Sequence, residues 1–518
     1  MKKRISITVH PQELTLEAAE GESLLGILVK AGLQVSSCCG GRGTCGKCKV
    51  RVSGTVPRPS APDLSHLTTG ELDRGMRLSC CTIPEGGEVV ECSDFPAGSS
   101  FKVALDTVSF PVDPWRKEDQ NGFVLAVDLG TTNIVGHVID PFTGRVVSSA
   151  GKENRQAAFG ADVMSRLSYA SIRGNEGREA MRAAALSDME KLVEDSETDR
   201  PVTDVIAVMN TAMEVLLLGR DPDLLGRYPC DSGIKGPVHL APPFTAKRLQ
   251  GAVLHLPPVI GGFVGSDTVA ALSAIEMLLP DRPYVLVDIG TNAEVVVVTG
   301  KEMTACSTAA GPAFEGMGIT CGMRGVTGAI DRVFFDEGDF RISVIGGGTA
   351  RGITGSGLFS LIGELLRAGA LDTLGLMQPP LFLPDWIRRG KGGNEVILAP
   401  GVTVSEHDVQ QFLLAKAATR AAVDTLLDAA EVKPEEVTAF YLAGTFAGTT
   451  APHDFKSVGL IPPGRVRGVG NAAAVGAALM AASESAFRDA CLLAGRIRHR
   501  ALSGSSAFMD AFQAGVHF

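Results

Sequence analysis

Hydrophobic and polar positions alternate from the start of the chain. In RISITVH, residues 4–10, Ile5, Ile7 and Val9 share one face, the period of a half-buried strand. A Pro-Gln-Glu turn and LTLEA complete a hairpin over residues 2–16. The spacing then changes to three and four. Leu24, Leu25, Leu28 and Val29 form the apolar face of a helix from about Glu22, and Gly32 is placed to end it. Strand patterns resume at KCKVRVSG, break over the Pro- and Ser-rich VPRPSAPDLS, and return at RLSCC and EVVEC. Residues 98–121 lack any period and predict a linker. Beyond them apolar strands alternate with alanine-rich helices, which predicts an α/β body.

That body contains an internal repeat. Phe123–Val135 reads FVLAVDLGTTNIV and Tyr284–Val295 reads YVLVDIGTNAEV, each an apolar strand ending in Asp, a Gly-Thr turn and a second strand. Such a hairpin suits phosphate. The glycine lets backbone approach, threonine hydroxyls and N–H groups donate to phosphate oxygens, and the aspartate holds Mg²⁺ or orients a water. One copy is weak evidence, but two in matching context predict a nucleotide clamp. The repeat divides the body at residue 283, giving 1–97, the linker 98–121, a first lobe 122–283 and a second lobe 284–518 that ends in return helices.

Composition narrows the function classes. The 58 acidic against 48 basic residues give a net charge of −10, which lacks the basic footprint of a nucleic-acid binder. The basic start MKKR is followed by no apolar leader, and no run of about twenty apolar residues predicts a membrane span. The cytoplasm is the expected compartment.

Seven of the 11 cysteines precede residue 93, which suggests a cofactor-binding module at the front. Cys39, Cys45 and Cys48 follow the spacing C-x5-C-x2-C, with Cys80 far behind. Gly40, Gly41, Gly43 and Gly46 let one loop fold tightly so that several thiolates converge. A zinc site usually pairs two C-x2-C elements, and only Cys45 and Cys48 have that gap. Disulfides are uncommon in the cytosol, and a redox dithiol would stand before a helix where a strand follows here. The spacing resembles plant-type ferredoxins, with one residue inserted in the first gap as in their adrenodoxin-like variants. That resemblance implies a 2Fe–2S cluster on Cys39, Cys45, Cys48 and Cys80. Cys38, Cys81 and Cys92 are left over and read as small buried hydrophobes. The nine histidines are scattered singly and form no metal spacing.

The paired hairpins resemble the phosphate motifs of the actin/hexokinase/Hsp70 (ASKHA) superfamily, and YLAGTFAG, residues 441–448, resembles its adenosine motif. A β-grasp ferredoxin joined to a two-lobed ASKHA ATPase is similar to the reductive activators of corrinoid proteins, the RACo-like family. CGGRGTCGKC, RLSC, VDLGTTN, NTAM, PPVIGGFVGSDTVAAL, VDIGTNAE, AGPAFEGMGITCGMRGVTGAI and GITGSGLFSLIGELL carry that similarity along nearly the whole chain. Thr354 stands where the family pattern leads one to expect cysteine, and the short linker suggests that a separate middle domain is absent.

The resemblance implies ATP-dependent reduction of a corrinoid protein from cob(II) to cob(I), by one electron from the cluster. It implies Mg²⁺ as a cofactor, an upstream electron donor, a corrinoid protein as partner and a homodimer. It places Gly130, Thr131, Thr132, Asn133, Gly290, Thr291 and Asn292 at phosphates, with Gly444 and Thr445 at the third motif. Asp288 is the first choice for the catalytic carboxylate and Asp128 the second. Asp267 is expected in the site in preference to a helix cap, and Glu294 is expected to serve a partner or the fold. Two alternatives stay open: an ATP-gated electron donor to another low-potential acceptor, and a binding module that senses nucleotide or redox state.

Overall fold

The computed structural model describes residues 4–10, 14–19, 21–30, 48–91, 110–118 and 121–518, apart from 161, 197, 199, 229, 279, 301, 317, 324, 337–338, 378–385, 391–392 and 445–446. The alternating start forms strand Arg4–His10, with Ile5, Ile7 and Val9 all buried. It pairs antiparallel with Leu14–Ala19 and parallel with Glu88–Glu91. Lys49–Gly54 and Met76–Leu78 complete a five-stranded mixed sheet. The helix Leu24–Lys30 lays Leu24, Ile27 and Leu28 on Ile7, Val9, Val50, Val52 and Val90, so a helix grasped by a sheet is the first module's core. VPRPSAPDLS is not merely a break: Ser60 caps the helix Ala61–His66 by accepting from Asp63 N, with proline in its first turn.

The second half of the linker is fastened to the α/β body. Trp115 Nε1 donates to Met480 O at 2.9 Å, and Ser485 N donates to Asp113 Oδ2 at 3.2 Å.

The internal repeat is a repeat of topology. In the first six-stranded sheet the order is Val238–Leu240, Val253–Leu256, Val202–Met209, Phe123–Leu129, Asn133–Asp140, Arg145–Glu153. In the second it is Val466–Gly470, Ala439–Ala443, Tyr284–Ile289, Ala293–Thr299, Glu302–Thr308, Ile497–His499. Each has an antiparallel three-strand meander whose first strand continues on its other side into two successive parallel strands, as helical crossovers demand. The first strands are almost continuously apolar because both faces are covered.

Helices bind the two sheets together. Ala477, Ala478 and Ala481 of the helix Ala472–Ala482 share a core with Val124, Ala126 and Ile206 of the first sheet. Ala271, Leu272 and Ile275 of the helix Ser266–Glu276 share one with Tyr284, Leu286 and Val296 of the second. Each half therefore covers the other's sheet. The helices touch at Gly476, where a Cβ would sit 2.0 Å from Ala270 O, so only glycine permits the approach. Among the described residues no helix is long and apolar enough to cross a membrane.

Candidate functional site

Both repeat hairpins open at the same end of their sheets, into a cleft of about 1600 Å³. In the first, Leu129 pairs with Ile134, leaving Gly130 to Asn133 in the turn and at the start of the next strand. In the second, Ile289 pairs with Ala293, so the turn is one residue shorter, and Gly290 N donates to Asn292 O at 2.9 Å. The residues expected at phosphates, Gly130, Thr131, Thr132, Asn133, Gly290, Thr291 and Asn292, all line the cleft, as does Gly444. Thr445 lies outside the described residues. Gly444 has φ of 101°, and a Cβ there would lie 2.3 Å from Ile289 O and 3.1 Å from Asp288 Oδ1. The strand carrying the third motif thus presses against the second hairpin with no room for a side chain.

Asp128 and Asp288 occupy matching positions near the strand ends, both facing the cleft. Burial pushes the Asp128 carboxyl up to about 6, opposed by Asn471, whose Nδ2 donates to Asp128 Oδ2 at 2.7 Å. Burial and the nearby charge of Asp128 push Asp288 up to about 7. Asp267 joins them, raised to about 8 by burial and then chiefly by Asp288. The helix cap position belongs to Gly265, while Asp267 Oδ1 accepts from its neighbour Thr268 N at 2.7 Å and its side chain lines the cleft. Glu294 lines it too; burial and the charges of Asp267 and Asp288 hold its carboxyl well above the usual range, and Ser307 Oγ donates to it at 2.9 Å. Several carboxylates with elevated proton affinity in one cleft offer hard oxygen atoms of the kind Mg²⁺ takes, although no three of them stand as a preformed ligand set among the described residues.

Three contributors were not singled out from sequence. Asn471 caps the helix Ala472–Ala482 with one side-chain atom and orients Asp128 with the other. Asn210 caps Thr211–Leu217 and donates to Thr131 Oγ1 at 3.1 Å. Glu315 accepts from Thr291 Oγ1 at 2.8 Å and from Thr132 Oγ1 at 3.4 Å. An asparagine before an alanine-rich helix was the available signal for Asn471, and NTAM for Asn210; Glu315 had none beyond its place in AGPAFEG.

In the first module, the backbone of Lys49–Gly54 and Met76–Leu78 brings Cys48 and Cys80 together, with Sγ atoms 3.1 Å apart. Ser79 N donates to Cys48 O at 2.8 Å, which locks the two segments. Burial raises the Cys48 thiol to about 11, so metal binding there would displace a proton. Two converging thiols, one of them buried, fit a pair of ligands that would hold part of an iron–sulfur cluster. Cys39 and Cys45 lie outside the described residues. Cys81, read as a small buried hydrophobe, is partly exposed with Sγ 3.5 Å from that of Cys80.

The histidines are not all solitary. His239 and His255 face each other across antiparallel strands, Nδ1 to Nδ1 at 2.7 Å, and His255 Nε2 lies 3.1 Å from Asp204 Oδ1. Among the described residues no group of three or more His, Cys, Asp and Glu is arranged to hold a metal ion.

Comparison with known proteins accounts for every part. A 2Fe–2S iron–sulfur cluster binding domain matches residues 7–85, the RACo middle region matches 123–279, and the C-terminal domain of RACo, the ASKHA domain, matches 282–518. The chain carries the domains of the RACo family. A solved structure of a "Reductive activator for corrinoid, iron-sulfur protein" is 27% identical, covers 99% of this chain and 98% of its own, and superposes with a TM-score of 0.70. "Corrinoid activation enzyme RamQ" of Eubacterium limosum is 30% identical over 71% of this chain and 65% of its own length. A "[Co(II) methylated amine-specific corrinoid protein] reductase" of Methanosarcina barkeri is 30% identical over 42% of each. The chain therefore spans less than two thirds of either curated relative. The RACo middle region is present, over residues 123–279, and corrects the expectation that a middle domain is missing: the segment read as a first ATPase lobe is that region.

Proposed function

We propose that this chain reductively activates a corrinoid protein, transferring one electron to convert cob(II) to cob(I), with ATP bound in the cleft between the two sheets. The observation that carries the reading is the likeness over 99% of the chain to a reductive activator, together with the cluster-domain and ASKHA-domain matches that this polypeptide joins. The relatives' names, a corrinoid activation enzyme and a corrinoid-protein reductase, support the same substrate class.

When bound, a 2Fe–2S cluster supplies electrons singly at a low potential, roughly −400 mV in plant-type ferredoxins. Cys39, Cys45, Cys48 and Cys80 would hold it, and an upstream donor would restore the electron passed on. In the cleft, Thr131, Thr132, Thr291 and the turn backbone bind and orient the phosphates, while Gly444 admits the nucleotide's adenosine end. Asp128 would hold Mg²⁺, which neutralises phosphate charge. Asp288 takes the proton of the attacking water at its carboxylate, and Asn471 fixes the angle of Asp128. Because the helices of each half cover the other's sheet, a rearrangement at the cleft would be passed to both halves. Such a movement, driven by nucleotide turnover, makes an uphill electron transfer effectively one-way.

The test is anaerobic. The cluster-loaded protein is reduced and mixed with a cob(II) corrinoid protein from the same genome, and cobalt absorption is followed with and without ATP. ATP-dependent appearance of cob(I) supports the reading; its absence with every such partner overturns it.

A further inference from the structure

Among the cleft carboxylates outside the two repeat hairpins, Glu315 alone is bonded to hydroxyls of both hairpins among the described contacts. Glu315 ends the single turn Pro312–Glu315, which follows the third strand of the second sheet. The turn is held firmly. Phe314 is buried against Phe359 and Phe412, with ring centroids 4.9 and 5.3 Å away, and Gly311 N donates to Thr291 O at 2.9 Å. From this base the side chain spans the cleft. Its Oε2 accepts from Thr291 of the second hairpin and its Oε1 from Thr132 of the first.

A threonine hydroxyl has one hydrogen to donate. Of the three threonine hydroxyls assigned to phosphate, those of Thr132 and Thr291 are therefore already given to an anion, while Thr131 Oγ1 accepts from Asn210. A free nucleotide would have to take them from Glu315 and then lie beside its buried negative charge, in surroundings that screen the repulsion poorly. A divalent cation changes the balance, because carboxylate and phosphate oxygens can share it. Asp128, Asp267 and Asp288 also disfavour an unaccompanied anion, but their contacts do not include the threonine hydroxyls. Burial raises the proton affinity of Glu315, as it would for a carboxylate awaiting a positive partner.

We propose that Glu315 makes the cleft selective for a divalent-cation complex of the nucleotide over the free nucleotide, by holding both threonine hydroxyls until a cation lets carboxylate and phosphate occupy the same space. This deepens the nucleotide reading of the cleft and rests on it. Glu315 is on this account a specificity-determining residue for the ligand's ionic form, and it ties the two hairpins together when the cleft is empty.

The test is calorimetric titration of ADP into the full-length, cluster-loaded protein, once with Mg²⁺ and once with EDTA. Wild-type protein should bind Mg–ADP better than free ADP. Glu315→Gln keeps the shape and an accepting oxygen but removes the charge, so free ADP should bind about tenfold more tightly than to wild type, shrinking the Mg²⁺ preference. A purely structural role predicts that both affinities fall in parallel; that result, or no change in either, overturns the proposal. If wild-type protein binds ADP under neither condition, the nucleotide reading itself fails. Should the glutamine variant not fold, Glu315→Ala, equally neutral, carries the same expectation.

Discussion

Asn471 Nδ2 donates to Asp128 Oδ2 at 2.7 Å across 343 residues of sequence, so a helix cap in the C-terminal domain sets the angle of a carboxylate in the middle region. The two roles of Asn471 can be separated by substitution. Asn471→Asp retains an oxygen to cap the helix but loses the donor to Asp128. Its melting temperature should stay near that of wild type while ATP turnover falls. Asn471→Ala loses both, and should also lose about 1 kcal/mol of stability. Thermal unfolding beside a phosphate-release assay distinguishes them.

Asp288 stands at about 7 because burial and the charge of Asp128 both disfavour its ionised form. As a proton acceptor it works only when deprotonated. ATP turnover should therefore rise with pH through about 7 and be lost as pH falls below it. Asp288→Asn should lower kcat by about 10²–10⁴ and abolish that pH dependence, with nucleotide still bound. A pH–rate profile of both proteins checks the assignment.

Cys48 and Cys80 are 3.1 Å apart at sulfur, with Cys81 a further neighbour of Cys80. Cys80→Ser should lose the visible absorption and the reduced-state EPR signal of the cluster. Cys81→Ser should keep both. The same comparison between Cys39→Ser and Cys38→Ser decides which of those adjacent thiols is the ligand, and loss is expected only from Cys39.

Gly444 admits no side chain, since a Cβ would meet Ile289 O at 2.3 Å and its φ of 101° disfavours other residues. Gly444→Ala should cost about 1–3 kcal/mol from backbone strain alone and displace the second hairpin. Denaturant unfolding and ADP titration should show reduced stability together with weakened nucleotide binding.

What could be read from the sequence was local. The alternation of Ile5, Ile7 and Val9 and the D-x-G-T pair at Asp128 and Asp288 each depend on residues a few positions apart, and each appears in the fold where the pattern put it. The contacts that complete the cleft are not local. Glu315 reaches Thr132 over 183 residues, and the exchange of helices between halves depends on Gly476 approaching Ala270. No periodicity records such meetings. The His239–His255 pair was equally hidden, because a strand register rather than a spacing brings the two rings together.

On the proposed function, the cluster domain and the nucleotide cleft act as one machine. The most direct measurement of that coupling is cob(I) formation by stopped-flow absorption, comparing wild type, Asp288→Asn and Cys80→Ser, each mixed with reductant, a cob(II) corrinoid protein and ATP. The account predicts cob(I) from wild type alone, because each variant removes one half of the coupling. Cob(I) formed by Asp288→Asn at the wild-type rate, or by wild type equally fast without ATP, would contradict it.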